Sequence, residues 1–216
     1  RPPGIEPEEL FNNNTVVQQN EQSLLVNVCN LESQDSRGVY KNINIDMRQF
    51  KRMRMFMHLE EDGIGIPNSN TVVGFVRLGN DLTENYYQIE VPLKISESTT
   101  REGIWPEENE INLSIDVLGK IKALEIANPT LPSELQKFYD VVDGKLVDTP
   151  VSEFSTYTIG QHRVTIKGNP NFGDIRTLMV GVKNGIPNGL NDSPPPASPV
   201  CAEVWFNELR LSDMDN

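Results

Sequence analysis

Positive charge is scarce in this 216-residue chain: 19 lysines and arginines stand against 31 aspartates and glutamates, a net charge of −12. A surface that tracks phosphates needs clustered cations, so the balance argues against nucleic-acid binding and against docking on anionic lipid. It implies instead a well-solvated acidic surface, with room for a basic partner or for calcium. Long apolar runs are missing as well. No stretch approaches the ~20 apolar residues of a membrane-spanning helix, so direct membrane insertion by a helix is not expected. Arg1-Pro2-Pro3-Gly4 leads into acidic residues rather than the apolar run of a signal peptide, and we expect an excised segment whose export or anchoring signal lies outside it.

Cysteine and histidine are equally sparse, with two of each: Cys29, Cys201, His58 and His162. They are too few and too far apart for a zinc motif. Cys29 and Cys201 are either one disulfide between an early and a late strand, which an oxidising compartment permits, or two buried thiols acting as small hydrophobes. Neither histidine has a Gly-x-Ser-x-Gly elbow to serve, and no phosphate-binding glycine loop or dinucleotide fingerprint occurs. Adjacent carboxylates such as Glu60-Glu61 and Glu107-Glu108 read as solvated loop charge rather than as a glycosidase pair facing across a cleft. The expectation is a non-catalytic protein with no catalytic or cofactor-binding residues.

What is present is strand periodicity. Tyr87, Ile89, Val91, Leu93 and Ile95 alternate with Tyr86, Gln88, Glu90, Pro92 and Lys94, the pattern of a strand with one buried and one wet face. Pro92 cannot donate to a ladder, which suggests an edge or a bulge there. Val39, Ile43, Ile45 and Met47 form a second alternation. Met53, Met55, Met57 and Leu59 form a third, read as flexible core filler. Further apolar runs begin at Leu24, Val72, Val164, Leu178 and Ala202. One helix is expected from Ser114 to Ile126, with Val117, Leu118, Ile121 and Leu124 on one face and Asp116 near its start. Residues 128–149 break the pattern, with a short amphipathic stretch near Phe138 and a Val142-Asp143-Gly144-Lys145 turn. Together these predict an all-β, jelly-roll-like β-sandwich of about eight or nine strands with one short helix. Residues 1–20, Pro-rich and acidic, read as a connector to a single sandwich domain spanning 21–216.

Two places offer ligand chemistry. Asn80, Asp81 and Glu84 in one loop, and Asp213 and Asp215 near the end, supply hard oxygens for a structural calcium, although neither follows the EF-hand pattern. Trp105 stands in an acidic loop, where with Tyr157 it forms a sugar-stacking platform or else simply packs; Trp205, inside an apolar strand, reads as core.

Several longer stretches are distinctive in order. They include Pro2-Pro3-Gly4-Ile5-Glu6 with Asn20-Glu21-Gln22-Ser23-Leu24, then Val39-Tyr40-Lys41 with Asp46-Met47-Arg48 and Met55-Phe56-Met57-His58. Gly79-Asn80-Asp81, Glu84-Asn85-Tyr86-Tyr87-Gln88-Ile89-Glu90, Trp105-Pro106-Glu107-Glu108-Asn109-Glu110-Ile111 and Cys201-Ala202-Glu203-Val204-Trp205-Phe206-Asn207-Glu208-Leu209-Arg210-Leu211-Ser212 follow. This series resembles an internal segment of the SprA family, giant cell-surface gliding-motility proteins of Bacteroidota. The resemblance implies a part in type IX protein secretion, whose full-length family members form the outer-membrane translocon, a very large single-chain β-barrel that exports folded cargo. Partners implied are other domains of the parent barrel protein, accessory envelope proteins and secreted cargo. No family catalytic residues exist to carry over. Strands with polar faces and an aromatic content of 7% do not read as a lipid-facing band with aromatic girdles. The expectation is therefore a water-soluble domain of an outer-membrane protein, on the periplasmic or extracellular side. The final strand is also similar to the last strand of carbohydrate-binding jelly rolls, which makes a carbohydrate-binding module the alternative.

Overall fold

The computed structural model describes residues 2, 8–12, 15–19, 23–61, 72–97, 100–127, 135–153, 155, 158–185 and 199–212. In chain order the strands are β1 (Glu8–Asn12), β2 (Thr15–Gln19), β3 (Leu24–Leu31), β4 (Ser36–Ile45), β5 (Arg52–Glu61), β6 (Val72–Gly79) and β7 (Tyr86–Pro92). Helix α1 (Arg101–Ile104), β8 (Ile111–Ser114) and helix α2 (Ile115–Ala127) follow, then β9 (Lys137–Val142), β10 (Lys145–Leu146), β11 (His162–Lys167), β12 (Ile175–Asn184) and β13 (Val200–Ser212). One sheet has seven strands in the order β10-β9-β11-β7-β6-β12-β4 and the other four, β3-β13-β5-β8. Every pairing in both is antiparallel. One apolar core joins them, so the architecture is a β-sandwich.

The two inner faces follow from period two. Met53, Met55, Met57 and Leu59 of β5 are buried and face the core opposite Val76, Leu78, Tyr87, Ile89 and Val91. Each such side chain contributes about 1.5–3 kcal/mol on burial. Between the sheets, Gly74 leaves room for the Met57 sulfur; a Cβ there would strike it. At the other side of the seven-stranded sheet, Asp143 and Gly144 both take positive φ (50° and 72°), as the two-residue turn between β9 and β10 requires. Helix α2 starts at Ile115, directly after Ser114, which ends β8, and so lies within one residue of the span expected from the sequence. Ile115, Val117, Leu118 and Ile121 are buried, with Leu124 packed beside them. Glu125 lies unfavourably near the helix's negative end, and Lys137 and the Tyr139 hydroxyl of β9 compensate it directly.

Several expectations are corrected. The strands exceed the eight or nine anticipated, because β8 and β10 are short and β9, buried at four of its six positions, shows no alternation, and the segment expected as a connector contains the β1–β2 hairpin, a two-stranded sheet of its own. Strand β7 is central, not an edge, and both of its faces are buried. Pro92, which has no N–H to donate, is tolerated because it ends the strand: pairing with β11 stops at Glu90, and on the β6 side it is the Leu93 N–H that donates to Val72 O at 2.8 Å. The face expected to be wet is covered by long polar side chains from β6, β11 and β12. Arg77 Nε donates to Gln88 Oε1 (2.7 Å), Gln88 Nε2 donates to Glu90 Oε1 (2.5 Å), and Lys183 Nζ lies 3.6 Å from that same oxygen. Arg163, itself buried, forks onto Asp140 through Nε (2.8 Å) and Nη2 (3.2 Å). Strand β4, by contrast, leaves Val39 exposed at the open edge of its sheet.

Candidate functional site

Trp105 follows α1 and enters the 3-10 turn at Glu107–Asn109. Its ring packs at 6.4 Å from Phe56 and edge-on to His58 at 5.9 Å. His58 is fully buried on β5, with Nδ1 2.7 Å from the Ile104 carbonyl oxygen and Nε2 3.0 Å from Glu60 Oε1. Trp205 meets its other side at 5.2 Å. The histidine thus pins the Trp105 loop to the four-stranded sheet, and both ring nitrogens are engaged in doing so. Asn109, also buried, closes the loop by donating to Lys94 O (2.8 Å) and accepting from Lys94 N (2.7 Å). Above this base lies a cavity of about 390 Å³ lined by Trp105, Glu97, Glu102, Glu107, Glu108 and Lys94. Lys94 pairs with Glu108 at 3.3 Å. An aromatic wall with a carboxylate rim can hold a hydroxyl-rich or cationic group; Tyr157, the expected second half of a platform, lies outside the described residues.

The loop expected to offer calcium ligands uses its oxygens otherwise. Asp81 Oδ1 accepts from the backbone N–H groups of Thr83 (2.9 Å), Glu84 (2.5 Å) and Asn85 (3.1 Å), and Oδ2 accepts from Asn85 Nδ2 (2.9 Å). Burial alone would raise its pKa, but these donors outweigh it and hold the carboxyl well below the usual range. Asn80 donates to Asp174 O (2.6 Å) and accepts from Asn171 N (2.8 Å), while Glu84 pairs with Lys167 (3.2 Å). A carboxylate ringed by N–H donors closes the β6–β7 hairpin; this set does not fit a calcium site, whose cation needs those same lone pairs. Among the described residues no group of three or more His, Cys, Asp or Glu is placed to hold a metal ion. Asp213 and Asp215 lie outside the described residues.

Cys29 and Cys201 form a disulfide between β3 and β13. It sits where the register of that pair slips between Val200 and Ala202. His162 opens β11 with Nε2 3.2 Å from both Glu110 O and Asn112 N; burial pushes its pKa down, although the carbonyl and charge of Glu110 pull it up.

A further feature escapes the sequence pattern. Strands β3 and β4 are the end strands of the two sheets and follow one another through residues 32–35, so both edges open on one side of the sandwich. Between them runs a groove of about 260 Å³ whose walls include Leu24, Val39, Tyr40, Phe206 and Leu209. The signal in the sequence was the adjacent pair Val39-Tyr40, since in a strand with one wet face two large apolar neighbours cannot both face the core.

All of residues 1–216 match the family model SprA_N, described as motility related/secretion protein. The chain belongs to that family. An SprA_N segment is thereby placed among motility- and secretion-related proteins, with an association with the cell envelope. No curated protein matches the chain. In this SprA_N segment no helix among the described residues is long and apolar enough to cross a membrane.

Proposed function

We propose that this segment is a non-catalytic interaction and bracing domain of the outer-membrane type IX secretion translocon, supporting export of cargo proteins and gliding motility. The observation that carries the reading is the SprA_N match along the entire chain. The architecture supports it: the strands bury their apolar faces against one another in a sandwich, leaving the barrel itself to other parts of the parent protein. The Cys29–Cys201 disulfide suits an oxidising compartment, on the periplasmic or extracellular side of the membrane. Its partners would be neighbouring domains of the parent, accessory envelope proteins and cargo.

The test is secretion of a reporter cargo by cells whose full-length protein lacks this segment, with the abundance of the parent in the outer membrane followed alongside. Normal assembly with cargo retained inside the cell supports the reading; unchanged secretion refutes it. A second reading, a carbohydrate-binding module, is favoured by the Trp105 cavity with its carboxylate rim. It requires that glycan binding be detectable and that Trp105→Ala abolish it, since stacking on the indole would supply most of the apolar contact.

A further inference from the structure

Strand edges of natural sheets are blunted by proline, by bulges, by covering loops or by charge. Strand β4 is ten residues long without proline, and its register with β12 runs unbroken from Ser36 to Asn42, shifting only between Asn42 and Ile45. Every second residue of such an edge turns its N–H and C=O away from the sheet. Beside it, β3 has neither proline nor charge. Leu24, Val39, Tyr40 and Leu209 in the groove are 43%, 45%, 65% and 37% exposed. They are four of the eight large apolar side chains exposed among the described residues, so the apolar exposure is concentrated at one open edge.

Charge narrows the occupant. In a chain of net charge −12, β4 carries Arg37 and Lys41 and no acidic residue. Arg37 is paired with Asp35 at 3.2 Å. Lys41, at the groove, has no ion-pair partner among the described residues. A second copy pairing β4 with β4 would bring cationic strands together and two acidic bodies with them, both unfavourable.

We propose that β4 is a docking strand for an extended segment of a separate polypeptide with apolar side chains on one face and a carboxylate placed to meet Lys41. The incoming backbone adds the next strand to the seven-stranded sheet, and its apolar side chains fill the groove toward β3 and β13. The proposal rests on the reading of this segment as an interaction domain, and supplies the surface and chemistry of one partner.

The test uses the whole 216-residue chain and labelled synthetic peptides of about ten residues, a typical strand's upper length. One alternates valine and threonine with central glutamates, one carries lysines in place of the glutamates, and one repeats the glutamate peptide with a central proline. The glutamate peptide should bind about tenfold or more tightly than the lysine peptide, and Lys41→Glu should reverse that order. Val39→Lys should weaken both, and bound peptide should slow amide exchange in residues 36–45. Lys41 and Val39 are exposed, so both variants retain the fold. No binding, equal binding of the two charge types, a proline peptide as good as the unbroken one, or protection, before peptide is added, of the β4 amides that face away from β12 would each overturn the proposal. The secretion assay separates the two readings. Peptide binding with secretion intact after deletion leaves the docking strand and removes the translocon role, while failed binding with blocked secretion does the reverse.

Discussion

Asp81, half-buried in the β6–β7 connection, concentrates much structure into one carboxylate, because three consecutive amides and one side-chain amide converge on it. Asp81→Ala leaves those donors to solvent or to nothing, and should cost about 1–2 kcal/mol, read as a lower urea midpoint with an unchanged slope. Its pKa is depressed in the folded state, so its contribution is complete above the ordinary aspartate value of about 3.9 and fades as pH falls through that value toward the folded one. The variant should therefore lose less stability than the parent between pH 4 and the acid limit, roughly the span over which that carboxyl titrates. An unchanged acid-denaturation curve would show that the turn tolerates loss of its cap. The sequence Asn80-Asp81-Glu84 made the oxygen donors legible but not their task. An aspartate followed at the next few positions by free amides is as much a turn signal as a ligand signal, and only the backbone conformation decides between them.

At the scale of the element, β7 shows what period two conveys and what it leaves out. Alternation located the strand and assigned Tyr87, Ile89 and Val91 to the core, as they are found. It also marked Gln88 and Glu90 as the outward face, which is correct in direction and wrong in exposure, since both are buried. Polarity in a sequence reports that a group needs partners, not whether water or protein supplies them. Here Arg77, Lys183 and the strand's own glutamine supply them. The same contacts explain why a central strand accommodates an acidic residue at all: its charge is offset by the Lys183 ammonium and its lone pairs are used. Glu90→Ala should destabilise by about 2 kcal/mol, because it leaves the Lys183 ammonium and the Gln88 amide without this acceptor in a layer that is mostly, though not wholly, out of solvent. Glu90→Gln, which keeps an acceptor, should lose distinctly less. Equal losses for the two, measured by chemical denaturation, would mean that packing rather than the polar chain holds this face together.

For the molecule as a whole, the order of strands was the least legible feature. The local patterns announce strands and the one long helix, but β3 finds its partner in β13 at the far end of the chain, and pairing over such a span depends on tertiary packing that no window of sequence contains. The disulfide fixes that closure: Cys29 and Cys201 lie 172 residues apart. In the chain-entropy view, tying so long a loop restricts the unfolded ensemble by up to about 5 kcal/mol, with about 2–5 the usual range for a native bridge. Strand β3 depends on it most, because β13 is its sole ladder partner among the described strands. Reduction, or the paired change Cys29→Ala with Cys201→Ala, should lower the melting temperature by several degrees or more. It should also raise amide exchange in residues 24–31 before the core of β5 and β7 responds. Since β3 forms one wall of the open groove through Leu24, the reduced protein should bind the acidic strand peptide more weakly while Lys41 still sets the charge preference. A melting temperature indifferent to reductant would separate the staple from stability; exchange rising uniformly across both sheets would instead show that β3 does not come loose as a unit, and that the bridge acts on global unfolding alone.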